Sequence, residues 1–544
     1  MKSLKSKKIL LASWGCKVKT SQEYRDWPPV FKKIFKKVIL FSTKNEFYYF
    51  GKEALNKNFL DLLKKEKPDY LLICPVLNEF EIDTLLKIKE ITPDTKTMMW
   101  TGDDEFRFDD WTRYYALFFD YILTTKKEIS IFKDDGIRKV DFMIGVNPGY
   151  HRPLNLKEIY DVTFIGAPLA DRYDYIKFLM KKGVNIRLFG GGWHKYADLK
   201  EIYGGFLYPD DFIKVINQSK INLNFSKTFF KQGKLGQMKG RPIEILACNS
   251  FLLTEYTSKT IDFLADNKEM NFRSEEELLK KIKYYLKHEK ERKNLAKEGY
   301  NHIVKNRSWE KLFTNYFNKI EKDKIKHYNP PEVSEKIITL SENEISLPIN
   351  KLKEKLKNAD YVDFSKASNK KSTHKNYFQS YSLKISKKDI SCCDYLVYSE
   401  SLGDYLVNLS KKSFNTLKKE DFYKILNINQ LMVRKNYFLN NLKSFQKLFH
   451  GEVCNLLNDK NTVFISIPLV KIQSVGKIPY KDMKNVFNTP FFDKLFSLVR
   501  QKKILDPYMF KLFLLSYPGK KFIFKYLFER ALDKESWEAL NFFN

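Results

Sequence analysis

A chain of 544 residues, 43% hydrophobic and 15% aromatic, carries enough apolar material for three or four folded cores, which excludes general disorder. Its net charge of +31, from 97 Lys and Arg against 66 Asp and Glu, favours anionic partners such as nucleotides, phospholipid surfaces, acidic polysaccharides or nucleic acid. The excess is mostly Lys, dispersed among Asn, Ile, Phe and Tyr over the whole length, so no specific nucleic-acid binding is expected.

Cys16, Cys74, Cys248, Cys392, Cys393 and Cys454 show no CxxC spacing, and several lie in apolar runs. That fits a reducing cytoplasm and supports neither a disulfide framework nor a zinc site. The apolar run Ile9–Ala12 is too short for a signal segment, and no stretch approaches the roughly 18 apolar residues of a membrane span. The expectation is a cytoplasmic protein whose only membrane contact would be peripheral, at the anionic inner face.

In the first part of the chain, Lys8–Ser13 reads as a strand ending in the loop Trp14-Gly15, where the missing side chain lets a ligand or a neighbouring backbone come close. Apolar runs recur at Val38–Phe41, Tyr70–Cys74, Thr97–Trp100 and Tyr121–Leu123, with amphipathic segments such as Ala54–Lys65 and Ile82–Ile91 between most of them. This alternation predicts a parallel sheet covered by helices, with ligands beyond the carboxyl ends of the strands. At one such end stands Thr101-Gly102-Asp103-Asp104-Glu105-Phe106-Arg107-Phe108-Asp109-Asp110. Asp103 or Asp104 there could serve as general base for a sugar hydroxyl, bind a divalent metal, or cap the next helix.

The pattern restarts at Asp161–Pro168, a strand with a Gly turn at Gly166, followed by a helix over Asp171–Lys182 with Arg172 at its beginning. Asn185–Phe189 is a strand terminating in Gly190-Gly191-Gly192-Trp193, where glycines permit close approach of a base or phosphate or simply form a turn. Asp211–Gln218 reads as a helix and Ile221–Phe225 as a buried strand. Then comes Lys239-Gly240-Arg241-Pro242-Ile243-Glu244, the beginning of a short helix with Pro at its first position. Two cations at a helix N-terminus suit a phosphate, and Glu244 can accept two hydrogen bonds from vicinal hydroxyls. The competing reading makes Glu244 a complement to the helix dipole and Arg241 a surface cation. Ser274-Glu275-Glu276-Glu277 is a capping box, and Glu291–Val304 and Trp309–Ile320 are packing helices expected to close this domain.

Asn329-Pro330-Pro331 marks a boundary, and Lys351–Lys375 is rich in Lys, Ser and Asn. Domains are therefore expected at 1–153 and 154–328, with a linker at 329–375 and an accessory domain at 376–544. The accessory domain is expected to be mixed α/β or mostly helical.

Taken in order, Phe164-Ile165-Gly166, Leu188-Phe189-Gly190, Lys239–Glu244, Phe251-Leu252-Leu253-Thr254 and the Ser-Glu-Glu-Glu-Leu helix resemble the donor-binding half of GT-B glycosyltransferases, in particular the group related to the spore-maturation protein CgeB. Trp100–Arg107 and Phe119–Thr125 are similar to the amino-terminal half of the same group. The resemblance implies two Rossmann-like α/β domains facing a cleft, the first on the acceptor side with Trp14 and Gly15 in its acceptor-side loop and the second on the nucleotide-sugar side, a nucleotide-diphosphate sugar as substrate and a glycan or cell-envelope acceptor. It implies no cofactor and transfer often without a metal. By the same resemblance Glu244 holds the nucleotide ribose, and Arg172, Lys239 and Arg241 neutralise the diphosphate. Gly236 stands where related retaining enzymes have the first Glu of a pair. That departure is what an alternative reading would use, in which the cleft binds a glycan or nucleotide without turnover. Ile425–Lys435 and Val463–Val470 faintly resemble the latter half of GT-A transferases, and no Asp-x-Asp motif accompanies them.

Overall fold

The computed structural model describes residues 4–472 apart from residues 20, 51, 77–78, 103–107, 126–128, 136, 138, 228–238, 257–267, 324–334, 366–368, 372–374, 400–403, 409–429 and 450–455. The first domain holds β1 (Lys8–Ser13), β2 (Lys37–Ser42), β3 (Tyr70–Cys74), β4 (Lys96–Thr101), β5 (Tyr121–Thr124) and β6 (Val140–Phe142). They form a wholly parallel sheet in the order β2-β1-β3-β4-β5-β6. Helices cover both faces, so central strands such as β3 are buried along their whole length and read as unbroken apolar runs. Alternate residues of β1 serve separate cores, Leu10 and Ala12 one face and Ile9 and Leu11 the other.

The second domain repeats the plan with β7 (Tyr160–Ile165), β8 (Ile186–Phe189), β9 (Ser219–Asn224), β10 (Leu252–Glu255) and β11 (Asn271–Phe272), all parallel in the order β11-β10-β9-β7-β8. Both domains are thus α/β with Rossmann-like parallel sheets, as the alternating pattern predicts. The Glu275–Lys287 helix begins at Ser274, whose hydroxyl accepts a hydrogen bond from the Glu277 amide at 3.2 Å.

The Trp309–Glu321 helix departs from expectation. It packs not on the second domain but on the first, its Phe313 ring meeting Phe31 of the Gln22–Ile34 helix and its Phe317 ring meeting Phe35 at that helix's C-cap, each at 4.8 Å. Trp309, Phe313 and Phe317 lie four residues apart, a stripe along one helical face, and the adjoining domain supplies its apolar partner. Lys96 fastens the far end by donating to the Glu321 carbonyl at 2.6 Å.

The chain therefore crosses between the domains twice, and the crossings touch. Val146 and Ser308 form a parallel β-bridge in which the Val146 amide donates to Arg307 at 3.0 Å and the Trp309 amide to Val146 at 2.9 Å. Gly145 is required for this approach: a Cβ there would stand 2.8 Å from the Arg307 carbonyl oxygen and 2.8 Å from the Trp309 ring. Gly145→Ala is expected to cost about 1–3 kcal/mol through that overlap, measured as a lower urea midpoint; an unchanged midpoint would mean the crossings are not held together.

The third sheet comprises β12 (Ile337–Ser341), β13 (Tyr361–Ser365), β14 (Asn369–Lys371), β15 (Ile390–Ser399), β16 (Asp404–Asn408), β17 (Leu431–Arg434) and β18 (Thr462–Ile472). Its order is β12-β13-β17-β15-β18-β14, with β16 added on β15, and it mixes parallel and antiparallel pairs. This corrects one expectation: much of the stretch read as a linker, 329–375, is sheet and helix, because β12, β13 and β14 fall within it. Of the two alternatives expected for it, the third region is mixed α/β among the described residues. It sits against the first domain through the Lys375–Ser386 helix, whose Phe378 ring meets Tyr114 at 5.4 Å and Phe118 at 5.8 Å and joins the first core.

Candidate functional site

The carboxyl ends of β7, β8, β9 and β10 gather the groups of interest. At the first two, glycines allow the backbones to touch. Gly190, with φ of +114°, lies so close to Gly166 that a Cβ would stand 2.7 Å from the Gly166 carbonyl oxygen. That oxygen accepts the Trp193 indole N–H at 2.6 Å, closing the turn that contains Gly191. The predicted glycine edge is therefore present, held by its own backbone and one buried Trp.

Arg172 is where the sequence places it, at the first position of the Arg172–Lys181 helix, but its guanidinium turns inward. It donates to the Ala167 carbonyl at 2.9 Å and to those of Phe225 and Lys227 at 3.1 Å each, tying the loop after β7 to the loop after β9. Burial lowers its pKa to about 10, against the pull of Glu255 and Asp171. A donor count of five leaves little for a ligand once three carbonyls are served.

The more accessible cation beside it is Lys227, which sequence reading missed. Its ammonium bridges Asp171 at 2.7 Å and Glu255 at 2.8 Å, while Glu255 also accepts the Ser226 amide at 2.8 Å. Burial opposes the Lys227 charge, yet the hydrogen bonds to Asp171 and Glu255 outweigh it and hold the ammonium above its ordinary range. The available signal was positional: Lys227 and Glu255 stand at the carboxyl ends of β9 and β10, where ligands of parallel sheets collect.

Pro242 and Arg241 open the Arg241–Ala247 helix, with Lys239 and Gly240 just ahead of it, as predicted. Arg241 and Glu244 come together, Nη1 to Oε2 at 2.9 Å, and the guanidinium lies over the Phe212 ring at 4.2 Å. Glu244 is buried and Arg241 half-buried, so the pair forms one edge of the site rather than a free surface charge.

Beyond this pair lies His151, also unread in the sequence. Its Nδ1 is 3.9 Å from the Asp26 carboxylate of the first domain, and Glu244 and Arg241 act on it from the second. Burial depresses its pKa below the ordinary histidine value; Glu244 opposes that shift, and Arg241 and Arg25 add to it. As pH falls below about 6.5 the unfolded chain takes up the proton first, so His151 subtracts stability progressively down to its own lower pKa.

In the first domain, Trp14 follows β1 and packs on Phe47 at 6.2 Å. Gly15 is explained by its own domain, since a Cβ there would collide with Ser21 and the Glu23 carboxylate at the Gln22–Ile34 helix. The remaining candidates, Asp103, Asp104 and Gly236, lie outside the described residues. Among the described residues, no three His, Cys, Asp or Glu side chains form a metal-binding group, and no helix is long and apolar enough to cross a membrane.

Residues 172–318 match a family model described as glycosyl transferase-like. No curated protein sequence matches the chain. Among solved structures, a glycosyltransferase from Rickettsia africae is 13% identical with a TM-score of 0.43, covering 59% of this chain and 100% of its own. The β-glucosyltransferase of T4 phage is 15% identical with a TM-score of 0.39, covering 58% and 100%. Sucrose-phosphate synthase from Thermosynechococcus elongatus is 10% identical with a TM-score of 0.41, covering 58% and 100%.

Proposed function

We propose that the chain is a GT-B glycosyltransferase, of the group related to CgeB, that moves a sugar from a nucleotide-diphosphate donor to a glycan or cell-envelope acceptor. The observation that carries the reading is the glycosyl transferase-like match over 172–318, which contains the gathered strand ends and the Arg241–Glu244 pair. The chemistry is consistent with it. Negative charge develops on the departing diphosphate, and fixed cations stabilise it in the transition state. Lys239 and Arg241 take that role in the proposal, Glu244 accepts the ribose hydroxyls, and Arg172 shapes the loops from behind. An inverting transfer also needs a base at the acceptor hydroxyl, for which Asp103 or Asp104, beyond β4, is proposed. The reading calls for no cofactor and for a cytoplasmic protein, with peripheral contact at the inner membrane face as its furthest extension.

Calorimetric titration with UDP, GDP, TDP, ADP and CMP tests the donor site. One nucleotide is expected to bind selectively, and Glu244→Ala and Arg241→Ala each to weaken it about 10- to 100-fold while the protein stays folded. If no nucleotide binds to the folded parent, the donor assignment is wrong and a non-catalytic glycan-binding role replaces it.

A further inference from the structure

The Pro209–Asn217 helix of the second domain lies along the first crossing between the domains and is tied to it at both ends. At its end the Asn217 side chain accepts from the Leu154 amide at 2.8 Å and donates to the Arg152 carbonyl at 3.2 Å. At its beginning the Pro209 carbonyl accepts from the Tyr150 hydroxyl at 2.7 Å. From this helix Phe212 presents its ring to the Arg241 guanidinium at 4.2 Å, and Arg241 in turn pairs with Glu244.

The first domain reaches the same helix through Arg25 of the Gln22–Ile34 helix. Its guanidinium stands 4.7 Å from the centre of the Tyr150 ring and donates to that residue's hydroxyl. Its Nε donates to the Lys19 carbonyl at 3.0 Å, in the loop after β1, and its own carbonyl accepts from the Asn147 side chain at 2.7 Å. The Tyr150 hydroxyl therefore accepts from Arg25 and donates to Pro209, a relay of two hydrogen bonds from one domain to the other. Asp210, 3.9 Å from the guanidinium, adds a further link, but it is exposed and water screens its attraction. The relay carries the connection.

We propose that Arg25 is an interdomain positioning residue: from the first domain it fixes the beginning of the Pro209–Asn217 helix and thereby the ring on which the Arg241 guanidinium rests. This goes beyond the donor-site reading and rests on it for the role of Arg241. A cation contributes most to a departing diphosphate when its side chain is already held in place before the ligand arrives. Arg25 supplies part of that hold across the domain boundary, so the setting of the donor cation depends on the two domains being together.

The test uses the full chain carrying Arg25→Met, which keeps the stem and removes the hydrogen-bond donors, or Tyr150→Phe, which keeps the ring and removes the relay hydroxyl. Two readouts need no ligand: hydrogen exchange of the 209–217 amides, and the rate at which phenylglyoxal modifies the half-buried Arg241, followed by peptide mass spectrometry. Both are expected to rise about 10-fold in each variant, the scale of one lost hydrogen bond to a charged group. Exchange along β1 and β3 and modification of the buried Arg172 should stay as in the parent, which distinguishes a lost position from a loosened fold. A nucleotide that binds the parent is expected to bind both variants about 10-fold more weakly. If no nucleotide binds the parent, or affinity holds while Arg241 is modified faster, the donor reading of Arg241 falls and the two ligand-free readouts alone decide the role of Arg25. Unchanged exchange, faster exchange without faster modification of Arg241, or modification of Arg172 rising alongside it overturns the proposal.

Discussion

Replacing Arg172 by Leu is expected to destabilise the protein by about 3–5 kcal/mol, read as a lower midpoint of chemical denaturation. The guanidinium is buried and serves the carbonyls of Ala167, Phe225 and Lys227. Leu fills the volume but leaves three acceptors without donors in a dry environment, and each unmet group costs about 1–3 kcal/mol. Arg172→Lys keeps the charge yet cannot span both loops with one ammonium, so an intermediate loss is expected. The experiment separates two roles. If Arg172→Leu denatures like the parent and loses only nucleotide binding, the guanidinium acts on the ligand directly and its inward hydrogen bonds are incidental.

Arg172 also shows where sequence reading stops. Its position at the head of a helix beyond β7 was legible, because strand, glycine turn and helix follow from local pattern. The direction of its side chain was not, since that depends on carbonyls 53 and 55 residues away. The Lys227–Glu255 bridge has the same character, joining two strand ends that only the sheet order brings together. His151 carried no local signal at all. Its ion-pair neighbour Asp26 stands 125 residues earlier in the chain.

The two parallel sheets were readable because strands buried on both faces become apolar runs, as at β1 and β3. The edge strand β12 gives the opposite case. Only Leu340 along it is buried, so its composition resembles a solvated connection, and its pairing with β13 is not visible from Ile337–Ser341 alone.

The centre of that third sheet yields the other large effect. Lys375 and Asp363 form an ion pair with both side chains 1% exposed, in a stretch whose polar composition suggested a linker. Lys375 also donates to the Leu431 carbonyl at 3.4 Å, and Asp363 accepts from the Thr339 hydroxyl at 3.3 Å, so the pair connects β12, β13 and β17. Lys375→Met alone is expected to cost about 3–5 kcal/mol, because it leaves a buried carboxylate without its cation. Adding Asp363→Leu removes the stranded charge and should recover most of the loss, since well-packed apolar replacements of buried pairs are often neutral. Hydrogen exchange along the Lys375–Ser386 helix locates the effect, and its Phe378, set between Tyr114 and Phe118, predicts that the contact with the first domain loosens as well. Equal stability of parent and single variant would show that water reaches the pair. The double variant remaining as unstable as the single one would show that its hydrogen bonds, not its charges, hold the three strands together.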